Sequence, residues 1–165
     1  MKHALIALVF CAPASFAAAQ DMQFSTAKLE SCLGLTSDPS KEMLHCVGKA
    51  AAACMEATEG GYSTAGMVGC LDAEAQWWDR KLNQTYGEVM AAAKEMDRGK
   101  PDYAPSRVEA LRAMQRAWIP YRDAKCAFAR SEWGGGTGAG PAGVSCLLEE
   151  TASQTLYLNA SLGLG

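Results

Sequence analysis

Gln115-Arg116-Ala117-Trp118-Ile119-Pro120-Tyr121-Arg122-Asp123-Ala124-Lys125-Cys126 is the stretch on which the reading of this chain turns. With Leu111, the residues Gln115, Trp118, Arg122 and Cys126 recur at three- and four-residue spacing, so they share one face of a helix. That face mixes apolar, polar and sulfur side chains. Buried polar groups need partners, and a buried charge needs one most. Asp79 and Glu74, on the preceding helix, are the expected partners of Arg122, and Asp79, Gln115 and Arg122 are read as a structural polar hub. A catalytic arginine is the sharper alternative. It is set aside because structural ion pairs are ordinary in helical bundles.

Cys126 raises the question of compartment. Met1-Lys2-His3, an apolar run from Ala4 to Ala12, and Ala17-Ala18-Ala19 form a secretory leader with cleavage expected after Ala19. The apolar run is too short to span a bilayer, and no other segment could do so. A lipoprotein signal around Cys11 is disfavoured, because the large Phe10 stands where a small residue is wanted. The expectation is a leader over 1–19 and one helical domain over 20–165, periplasmic or secreted, without a membrane span or lipid anchor. Losing Cys11 with the leader leaves six of the seven cysteines. An even number in an oxidising compartment favours three disulfides. Metal binding is not expected: there is no Cys-x-x-Cys, and His45 is the one histidine beyond the leader. Losing Lys2 takes the formal charge from −3 to −4, a balance with no electrostatic footprint for nucleic acid or anionic lipid.

Outward from the opening stretch, five helices are predicted and no strand. They cover about Ser25 to Leu33, Asp38 to just before Gly60-Gly61, Thr64 to Asp97, Ser106 to Trp133 and Val144 to Leu162. Leu71, Ala75, Trp78, Leu82, Tyr86 and Val89 give the long third helix one apolar face. Ser106 with Glu109 makes a capping-box pattern, and Pro120 should kink the fourth helix. Gly134 to Gly143 reads as a glycine-rich loop. The fold class is all-α: a compact, disulfide-stapled bundle of about five helices, two of them long. Pairing neighbours along the chain gives Cys32–Cys46, Cys54–Cys70 and Cys126–Cys146, each stapling one helix junction. This is an inference from helix adjacency, since six cysteines allow 15 connectivities.

Motifs for catalysis are weak. Gly134-Gly135-Gly136-Thr137 lacks the Gly-Lys-Ser/Thr ending and the preceding strand of a phosphate loop. No Gly-x-Ser-x-Gly accompanies the single histidine. Asp72–Glu74 and Glu149–Glu150 read as solvated faces rather than hydrolytic pairs. The aromatic run around Trp77-Trp78 reads as core, with Trp77 the more exposed.

An ordered set of residues carries a family resemblance. Cys70-Leu71, Glu74, Trp78-Asp79, Leu82-Asn83, Tyr86, Gln115, Trp118-Ile119, Tyr121-Arg122-Asp123, Cys126, Gly135-Gly136-Thr137, Cys146-Leu147 and Thr151 resemble the lysozyme-inhibitor LprI N-terminal-domain family. The resemblance covers about Cys54 to Leu158. It implies a helical, disulfide-bonded envelope domain and carries over no catalytic residue. The segment from Asp21 to Cys46, with its extra cysteine pair, lies outside that pattern.

The expected function is therefore that of an exported, non-catalytic binding protein needing no cofactor, an inhibitor of lysozyme-type muramidases. Arg130, Ser131, Gly135, Gly136 and Thr137, in or near the glycine loop, are the expected partner contacts. The alternative is a structural or adaptor module that binds another envelope protein. A cell-wall hydrolase ranks last, for want of a catalytic constellation.

Overall fold

Helix formation accounts for most of the described residues. The structure is a computed structural model and describes residues 21–35 and 43–162. The leader read over 1–19 and the helix start read at Asp38-Pro39-Ser40 lie outside those residues. In chain order the elements are α1 (Ala27–Leu35), a 3-10 turn (Met43–Cys46), α2 (Lys49–Ala57), α3 (Thr64–Asp97), α4 (Arg107–Ser131) and α5 (Ala139–Leu162). There is no strand among the described residues. The all-α reading with two long helices holds, and α5 makes a third of comparable length to α4.

The α5 sequence explains its place in the fold. Cys146, Leu148, Ala152, Leu156 and Leu158 are buried, but so are Thr151, Gln154 and Thr155 on its other sides. A helix covered on most of its circumference belongs at the centre of a bundle. α5 packs mainly along α3 and next along α4, while α2 packs on α3 and α1 closes one end over α2 and the 3-10 turn. One core cluster joins Leu29, Cys46, Ala50, Trp78, Leu148, Ala152 and Leu156. A second joins Leu82, Met90, Leu111 and Leu158 at the far end. Fully burying a Leu side chain contributes about 2 kcal/mol, so both clusters are substantial sources of stability.

The predicted second helix is split. Gly48 sits at φ 86° between the 3-10 turn and α2 and makes no side-chain cap. A residue with a Cβ would be strained there, and the left-handed turn re-aims the chain. Glu74 of α3 supplies the missing cap. Its Oε1 accepts from the Gly48 N–H at 2.7 Å and its Oε2 from the Ala51 N–H at 2.7 Å. Oε1 also accepts from Trp78 Nε1 at 3.2 Å. Glu74 is 0 % exposed, and a negative charge at the positive end of α2 is favourably placed.

The α3–α4 corner uses the same device. Ser106 caps α4 by accepting from the Glu109 N–H at 3.2 Å. Asp97, the last residue of α3, accepts from Ser106 Oγ at 2.7 Å and from the Arg107 and Val108 N–H groups at 3.0 and 3.1 Å. These donors, the Ser106 hydroxyl foremost, hold the Asp97 carboxyl below its ordinary pKa. α4 runs unbroken through Pro120 and ends at Ser131, two residues short of the predicted Trp133.

Three disulfides staple successive junctions: Cys32–Cys46, Cys54–Cys70 and Cys126–Cys146, with Cα–Cα separations of 5.7, 5.6 and 5.3 Å. No helix among the described residues is long and apolar enough to cross a membrane.

Candidate functional site

The predicted polar hub does not assemble. Asp79 is exposed and accepts from Asn83 Nδ2 one turn along its own helix, at 3.1 Å. Gln115 faces α5, where its Oε1 accepts from Gln154 Nε2 at 3.0 Å. Arg122 donates through Nε and a terminal nitrogen to Asp123 Oδ1, at 2.9 and 2.8 Å, and its guanidinium lies 4.9 Å from the Trp118 ring. Neither expected partner of Arg122 is used. Asp79 sits one 100° step round α3 from buried Trp78 and so points to solvent, while Glu74 is committed to α2. Arg122 keeps a fifth of its side chain in water and needs no buried counter-ion.

The predicted contact residues, by contrast, lie together at one end of the bundle, where α4 turns into α5. Cys126–Cys146 clamps the two helices just before they diverge into the connection, and both sulfur-bearing residues are buried. Lys125 Nζ donates to Glu150 Oε1 at 2.6 Å beside the clamp, and this bond raises the Lys125 pKa. The glycine loop is shorter than predicted, because α5 begins at Ala139 rather than Val144. Pro141 is accepted within the first turn of α5, where a helix has spare N–H groups and loses nothing with the proline.

Residues 132–138 form a chain of tight turns rather than a slack loop. The N–H groups of Gly134, Gly136 and Ala139 donate to the carbonyls of Ser131, Trp133 and Gly136 at 3.0, 2.8 and 3.0 Å. Gly134 and Gly135 take positive φ, 53° and 83°. The Trp133 indole packs against Gly138, filling the space a Cβ would need. Trp133 nevertheless stays 56 % exposed, and Phe128, five residues earlier on α4, is 65 % exposed. Beside Trp133 a groove of about 480 Å3 is lined by Met67, Leu71, Trp133, Thr137, Pro141 and Ala142. Arg130 lies with its guanidinium over Gly143 of α5. Ser131 Oγ donates to the Phe128 carbonyl at 2.7 Å, so its hydroxyl hydrogen is committed locally. Gly135, Gly136 and Thr137 are exposed.

Sequence reasoning passed over Phe128 and Trp133. The signal was available: two large aromatics stand within six residues before the glycine run. Having set metal binding aside, it also did not foresee a second cluster, at the Cys32–Cys46 staple. His45 Nε2 lies 3.4 Å from Cys32 Sγ and 3.8 Å from Cys46 Sγ.

Comparison with known proteins gives this arrangement a family. A protein of Rhodobacter capsulatus, described as an uncharacterized 17.7 kDa protein in the puhA 5' region, is 28% identical over 134 residues, 79% of this chain and 82% of its own length. Uncharacterized protein R02472 of Rhizobium meliloti is 39% identical over 93 residues, 54% of this chain and 66% of its own. No solved structure matches. The model of the family described as Lysozyme inhibitor LprI matches residues 54–158, from the first cysteine of the second staple to buried Leu158 of α5. This chain belongs to the lysozyme inhibitor LprI family.

Proposed function

We propose that the protein is an exported binding protein that inhibits a lysozyme-type muramidase without catalysis of its own, using the clamped α4–α5 connection as the contact. Membership of the inhibitor family carries this reading. Three disulfides favour an oxidising compartment, in keeping with the leader read at the N-terminus.

The geometry supplies a means. Muramidases cleave between two carboxyl groups in a cleft. An inhibitor needs a protruding element that is rigid before contact, so that little ordering entropy opposes binding. The turns of 132–138 and the Cys126–Cys146 clamp provide that rigidity. Trp133 and Phe128 offer aromatic area of the kind that dominates binding energy, and Arg130 offers a cation toward cleft carboxylates. The net acidity of the whole chain would steer it toward cationic enzymes.

The experiment is a muramidase turbidity assay with excess purified protein. Slowed lysis is expected, and Trp133→Ala should weaken inhibition by about tenfold or more, the scale of one aromatic hot spot. Undiminished lysis at saturating protein would reject the reading. Specific capture of a different envelope protein would favour the adaptor alternative.

A further inference from the structure

We infer that Cys32, His45 and Cys46 form a redox-gated site for a thiophilic metal ion, closed as a disulfide and opened by a dithiol reductant. The two sulfurs and His45 Nε2 all lie within 4.8 Å of one another, with the histidine exposed and Cys32 half-buried. No other described group of three histidine, cysteine, aspartate or glutamate residues is so gathered. Two thiolates and an imidazole are the donor set that zinc and cuprous ions prefer. The staple lies outside residues 54–158, so the matched family region does not include it.

Access distinguishes this staple from the other two. Cys54 and Cys70 are 0 % exposed, and Cys126 and Cys146 are 4 % and 9 % exposed. The reductant's thiolate can reach Cys32 Sγ. The S–S bond then breaks, Cys46 leaves as a thiolate and takes a proton, and the reductant's second thiol releases Cys32 from the mixed disulfide. Two electrons pass to the protein, and the dithiol becomes a disulfide. With Cα atoms 5.7 Å apart, rotation about the Cα–Cβ bonds lets the sulfurs part to the roughly 3.8 Å that two tetrahedral zinc–sulfur bonds require. Metal binding then displaces the thiol protons, and His45 supplies the third ligand.

The test begins with limiting dithiothreitol, followed by alkylation and mass mapping. Cys32 and Cys46 should be labelled before the other four cysteines. The protein reduced at that staple should bind one equivalent of zinc. Cobalt in place of zinc should give a thiolate charge-transfer band, while oxidised protein gives none. His45→Ala should weaken zinc binding more than about tenfold, since even changes outside the coordination sphere act on that scale. A Cys32→Ser/Cys46→Ser variant should keep its helical circular dichroism and bind no zinc. The inference is overturned if another staple opens first, if the double variant unfolds, or if zinc binding survives in oxidised protein, in the double variant or undiminished in His45→Ala. None of these outcomes depends on muramidase inhibition.

Discussion

Glu74 and Arg122 are the two charged residues whose surroundings differ most in what they demand. Glu74 is wholly buried and satisfies two backbone donors and one indole. Glu74→Ala would leave those donors without acceptors, each unmet buried donor costing about 1–3 kcal/mol. The expected loss is roughly 3 kcal/mol, read by chemical denaturation, and an unchanged midpoint would refute the capping role. Arg122 stacks on Trp118 and pairs with half-exposed Asp123. Arg122→Ala should cost only about 1 kcal/mol, through lost stacking and packing rather than an orphaned buried charge. Helical spacing put Arg122 on the inward stripe but could not show that its side chain stays a fifth in water. It likewise put Glu74 on α3 without revealing that α2 would present its N-terminus there.

Between elements, the α3–α4 corner makes stability depend on acid. Asp97 has a folded pKa depressed below its ordinary 3.8, so the folded state favours the carboxylate. Its contribution is complete above 3.8, and falls away as pH drops below that value and through the depressed one. Asp97→Asn should flatten this limb of a melting-temperature profile below about pH 4. A profile parallel to wild type would count against the corner's role. Element type was legible because α3 and α4 carry long helical periodicity and a serine cap. Element boundaries were not. Gly48 interrupts a run that propensity alone joins to α2, and Pro141 hides the start of α5 because a proline is tolerated in a first turn but resembles a loop residue in sequence.

For the whole molecule, the three staples hold different things. Cys54–Cys70 joins α2 to α3 with both residues out of water. A Cys54→Ser/Cys70→Ser variant should lose about 3 kcal/mol from loop closure and more from two hydroxyls left in an apolar site. Removing Cys32–Cys46 at the half-open end should cost less, and paired thermal melts of the two variants check the order. The glycine loop was recognised as a contact candidate from composition, and the structure keeps its predicted residues at one end of the bundle. That Phe128 and Trp133 stay exposed is seen only in three dimensions.

By itself the sequence determined the class: helical periodicity, caps and an even set of cysteines from Cys32 onward dictate a stapled all-α bundle, because these are local or countable properties. Only the tertiary structure decided which polar groups meet. Glu74 caps α2, Gln115 finds Gln154, Arg122 stays with Asp123, and His45 comes to rest on Cys32–Cys46. Such partnerships depend on how far each helix is rotated about its axis against its neighbours. That rotation is set by the packing of the whole core, and no single segment encodes it.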